Sequence, residues 1–62
     1  MYDLDTAERG LRKALADNDP RVHPGMLSAI IAVQQRGGRT DHIFEENAIS
    51  TGIFLAEEHP EV

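Results

Sequence analysis

The apolar residues of this chain fall into three runs with helical spacing, separated by glycine, proline and asparagine. In the first run Leu4, Ala7, Leu11, Ala14 and Leu15 recur at steps of three and four and share a narrow arc, while Arg9, Arg12 and Lys13 point away. Asp5, with Glu8 three residues later, has the spacing of a capping box, and Asn18-Asp19-Pro20 stops the run; the spacing predicts a helix over about 4–17. Gly10 sits inside it. Glycine is about 1 kcal/mol worse than alanine in a helix, so this one either weakens the element or admits a close backbone approach.

The second run opens at Pro24, with His23 as its flank, and closes before Gly37-Gly38, which predicts a helix over about 24–36. Met26, Leu27, Ala29, Ile30, Ile31 and Val33 cover about 200° of its wheel, wider than the roughly 100° stripe of a surface helix. A third helix is expected over about 41–58, capped by Thr40 or Asp41 and ended by His59-Pro60. Phe44, Ala48 and Leu55 line one of its faces and Ile49, Ile53 and Ala56 another. Ile43 and Phe54 fall between, among Glu46, Asn47, Ser50, Glu57 and Glu58. One small core is not expected to cover both faces. The rival for this segment is an alternating strand through Ile49, Thr51, Ile53 and Leu55, but no second strand signal exists for it to pair with. Gly52 then marks either a kink or a place where another helix packs closely.

Length sharpens this picture. Sixty-two residues make a single domain that hides only about 60% of its extended surface, and such domains usually need disulfides, a metal or a second subunit. With no cysteine, oligomerisation is the staple that remains. The expected fold is therefore all-α, a helical hairpin plus one helix, completed by dimerisation. Net charge is −5 and unevenly placed: residues 1–40 sum to +1, whereas residues 41–62 carry Asp41, Glu45, Glu46, Glu57, Glu58 and Glu61 without a single lysine or arginine. The longest apolar run, residues 26–33, is too short to span a bilayer, and the N-terminus is acidic where a signal peptide is basic, so a cytoplasmic, non-membrane protein is expected.

Candidate chemistry is sparse. His23, His42 and His59, with Glu45 and Glu46 a turn after His42, lack the Glu-x-x-His and His-Glu-x-x-His spacings of helical metal sites. The Glu45-Glu46 and Glu57-Glu58 pairs have no cleft to face across, the serines and threonines show no nucleophile motif, and Gly37-Gly38 lacks the strand and lysine of a phosphate-binding loop. No catalytic residue, cofactor or metal is expected. Two helices joined by a glycine turn do suggest a DNA-binding helix-turn-helix. Against it, the would-be recognition helix is acidic, whereas phosphate affinity comes from Lys and Arg. Arg9, Arg12 and Lys13 with Arg36 and Arg39 could form a basic edge, or pair locally as Asp5 with Arg9 and Glu8 with Arg12.

The expectation is a small acidic protein-interaction module, not an enzyme, acting as a regulator, inhibitor or accessory subunit. Its interface would be Leu27, Ile30 and Ile31 of the second helix with Phe44, Ile49, Ile53, Phe54 and Leu55 of the third. Glu45, Glu46, Glu57 and Glu58 would form an acidic partner surface, and a protein partner, its own copy included, would be the ligand. A DNA-binding regulator and a metal-binding or enzyme accessory subunit are the alternatives.

Overall fold

Helix starts and stops follow from side chains that meet orphaned backbone groups. The computed structural model describes residues 3–59, so the expected stop at Pro60 and the acidic Glu61 lie outside the described residues. The first helix, α1, spans Leu4–Ala16 and is capped by Asp3, not by an Asp5–Glu8 box. Asp3 accepts from the Thr6 amide at 3.1 Å and from the Thr6 hydroxyl at 2.6 Å, which satisfies the first turn one register earlier. Glu8 is engaged elsewhere, accepting from Arg12 and from Gln34 of the second helix.

The second helix, α2 (Pro24–Gln35), is capped by the ring of His23, whose Nδ1 accepts from the Gly25 amide at 3.2 Å. α1 and α2 end in the same way. Asn18 turns left-handed after α1, and the amides of Asn18 and Asp19 donate to the carbonyls of Leu15 and Ala14. After α2 the left-handed pair Gly37-Gly38 donates likewise to Gln34 and Val33. Both are Schellman closures, built on the two residue types that tolerate positive φ.

The third helix, α3, spans Ile43–Glu58 and starts later than a Thr40 or Asp41 cap would place it, with His42 as N-cap. The Glu45 carboxylate turns back to accept from the amides of Asp41, at 2.7 Å, and His42, at 3.4 Å. Residues 49–55 are helical and unbroken, and no strand occurs among the described residues.

Gly52 and Gly10 explain how so few residues cover two faces of α3. A Cβ added at Gly52 would overlap the Ala7 carbonyl oxygen and lie 2.9 Å from the Ala7 Cα, and one added at Gly10 would lie 2.7 Å from the Ala56 amide and overlap the Gly52 carbonyl. Helices α1 and α3 therefore touch backbone to backbone along a seam of Ala7, Gly10, Ala14, Ala48, Gly52 and Ala56, all buried. Contacts advance together along the two helices, Ala7 with Gly52, Gly10 with Ala56 and Asp17 with His59, so α1 and α3 run in the same direction. The return is made through α2, which meets the first turn of α3 at both its ends: His23 stacks on Phe44 and Arg36 bonds Glu45.

The expectation that one core could not cover both faces of α3 holds only for Phe44, which is exposed, and in part for Ile53, which is half-buried. Ala48 and Leu55 on one face and Ile49 and Ala56 on the other are buried together with Leu11, Met26, Ala29, Ile30 and Val33. Close approach lets α1 and α2 flank α3 from either side. The radius of gyration of 10.5 Å matches the about 10.6 Å expected of a compact single chain of this length. Among the described residues no helix is long and apolar enough to cross a membrane.

Candidate interaction surface

The same register that turns Gly52 inward turns Ile43 and Phe54 outward, while Phe44, on the face of Ala48 and Leu55, is exposed at the first turn of the helix. At 100° per residue, Ile43 and Phe54 fall within about 20° of each other on the side of α3 opposite Gly52, about 16 Å apart along the axis. Asn47 and Ser50 lie between them, and Phe44 sits about 80° to one side. Ile43 is 73% exposed, Phe44 46% and Phe54 53%. No other large hydrophobic among the described residues is as open.

The eight residues expected at an interface are thus divided. Ile30, Ile49 and Leu55 lie wholly inside the chain's own core and offer nothing to a partner on this fold. Leu27, Ile31 and Ile53 are half-buried, with Leu27 and Ile53 packed against that core. Phe44 and Phe54 are exposed but not bare. The His23 ring stacks on Phe44 with centroids 6.2 Å apart, and the Arg21 guanidinium lies 5.9 Å from the Phe54 ring centre. Ile43, outside the expected set, shares the polar side of the wheel with Phe54, Asn47 and Ser50, and its signal in the sequence is that of a large apolar residue among polar neighbours.

The acidic set also divides. Glu45 is only 8% exposed and belongs to the helix start, not to an outer rim. Its carboxylate is held below the usual range first by the Asp41 amide and then by the Arg36 guanidinium. Glu58 accepts from Arg21 at 2.7 Å, whereas Glu46 and Glu57 sit on the exposed side of α3.

Arg21 is the centre of a polar cluster that no periodicity could reveal. It bonds Asp19 through both Nε and a terminal nitrogen, at 2.9 and 2.6 Å, while His59 at the end of α3 contacts Asp17 and Asp19. Arg21 and its amide, followed by His59, hold the Asp19 carboxyl far below the ordinary carboxylate range. On α1, Gln34 and then Arg12 lower Glu8 in the same sense.

Most of the basic side chains are already engaged. Arg12 pairs with Glu8, Lys13 with Asp17, Arg21 with Asp19 and Glu58, Arg36 with Asp41 and Glu45, and Arg39 approaches Asp41 at 3.8 Å. Among the described residues Arg9 makes no ion pair, so the Asp5–Arg9 partnership does not form, and its charge acts at longer range on Asp3. Little positive charge is left over for phosphate contact, and the α2–α3 connection, residues 36–42, is longer than the 3–4-residue turn of a DNA-reading pair. Among the described residues no group of three or more His, Asp or Glu side chains is placed to hold a metal ion. No family model matches the chain, and no curated protein or solved structure matches it.

Proposed function

We propose that this chain is a protein-interaction module that works through the outer face of α3, with a second copy of itself as the occupant. The exposure of Ile43, Phe44 and Phe54, on a helix whose Ile49 and Leu55 are fully covered, carries this reading. A fully buried aromatic removes about 150–250 Å² from water, so each phenylalanine still offers roughly 100 Å². Two copies of the three side chains give on the order of 10 kcal/mol of burial at about 25 cal/mol per Å². Association costs about 4–15 kcal/mol in lost freedom, so the dimer is weak and depends on concentration.

The absence of any cysteine supports the same reading, because a chain of this size gains from a second subunit. Acting as a regulator, inhibitor or accessory subunit, the assembled module presents Glu46 and Glu57 beside the apolar positions, which suits a basic surface on a further partner and speeds its approach. Sedimentation equilibrium from low micromolar to millimolar concentration tests the proposal. The wild-type mass is expected to climb towards that of two chains, and a variant with Ile43→Ser and Phe54→Ser to remain at one. A wild-type chain that stays single at millimolar concentration overturns it.

A further inference from the structure

Two of the three histidines are held in opposite hydrogen-bonding states. His23 offers a ring lone pair, since its Nδ1 accepts from the Gly25 amide. His59 has both ring nitrogens against carboxylates, Nδ1 at 2.8 Å from Asp17 and Nε2 at 3.1 Å from Asp19. An ionised carboxylate only accepts hydrogen bonds, and a neutral imidazole has a single N–H to give. The neutral ring can satisfy one aspartate while aiming a lone pair at the other; the imidazolium satisfies both.

We infer that His59 is a proton-controlled clamp at the end of α3. Charged, it ties that end both to Asp17, at the close of α1, and to Asp19, in the α1–α2 loop. Neutral, it releases one of them. The charged groups around it are Asp17 with Lys13 at 3.7 Å, and Asp19 with Arg21, which also bonds Glu58. Among the described residues three carboxylates face two cations there, and the imidazolium balances the third carboxylate.

The sign follows from the donors. The clamp is complete while the ring is charged and weakens when the imidazole gives up its proton. His23 tilts the other way, because protonation of Nδ1 removes the acceptor that caps α2. As pH rises, therefore, the end of α3 loosens while the start of α2 tightens. This device does not depend on the self-association proposed above.

Denaturant unfolding of the full chain and of His59→Gln, each in a His23→Ser background that keeps an α2 cap without its titration, tests the clamp. The chain retaining His59 is expected to have an unfolding constant roughly three- to tenfold below that of His59→Gln at about pH 5.5, and the ratio to close towards one at about pH 8. NMR supplies a second readout: the amides of Asp17, Asp19 and Glu58 should titrate together with the His59 ring and stop doing so in His59→Gln. A stability ratio independent of pH, or amides that ignore the titration of the ring, overturns the inference.

Discussion

The inner and outer faces of α3 solve the problem of a small chain in opposite ways. Inside, Ala48, Gly52 and Ala56 reduce side chains almost to nothing, so that α1 lies against bare backbone and the larger Ile49 and Leu55 are enclosed from both sides. Outside, Ile43, Phe44 and Phe54 keep bulk that the chain does not cover. Amount of apolar residue is a poor guide to what a helix buries; the size of the residues at the crossing point decides it. A helix with bulky groups at the seam would stand off, and its flanking isoleucines would be left in water.

Replacing the seam breaks this contrast most severely. Gly52→Val drives a branched side chain into the Ala7 backbone, where neither helix can yield without separating. Overpacking usually costs about 1–3 kcal/mol, and collision with main chain costs more, against roughly 3–5 kcal/mol available to a domain of this size. The expected outcome is loss of the cooperative thermal transition in circular dichroism. Leu11→Ala, which leaves a cavity beside the same seam, should lower stability by about 3 kcal/mol in urea titration without separating the helices.

Acid sharpens the comparison at the polar edges. The folded chain lowers the carboxyls of Asp19, Glu8 and Glu45, so the stability they contribute is present above their unfolded values near pH 4 and is lost as pH falls through their folded ones. The urea midpoint should therefore drop steadily below about pH 4, and Glu45→Gln should flatten part of that slope. On the outer face, by contrast, Ile43→Ser should change the folding stability of the single chain by no more than about 0.5 kcal/mol, as expected of an exposed position.

The three helices were legible because period and punctuation agree: Asn18 and Gly37-Gly38 stop α1 and α2 where their backbone geometry demands. Starts were harder, since Asp3 and Asp5 are both plausible acceptors and only the engagement of Glu8 by Arg12 and Gln34 decides between them. Gly10 and Gly52 announced a possible close approach, but not that they meet each other. That requires α1 and α3 to run in the same direction, a fact of topology that no local spacing contains. For the same reason the exposed apolar residues were legible only in part. A wheel shows that Ile49 and Phe54 point apart, not which of them the rest of the chain will cover. Long-range bonds such as Arg21 to Glu58 and His59 to Asp17 leave no periodic trace at all.

The most direct test pairs two alanine substitutions on α3, Gly52→Ala on its inner face and Phe54→Ala on its outer face, compared by urea unfolding at a concentration where the chain is single. Adding one methyl group at Gly52 should cost about 1–3 kcal/mol, although alanine is the better helix former, while removing the whole half-exposed phenyl ring at Phe54 should cost less, about 1 kcal/mol. The reverse order, with Gly52→Ala neutral or stabilising and Phe54→Ala severely destabilising, would contradict both the backbone seam and the open outer face.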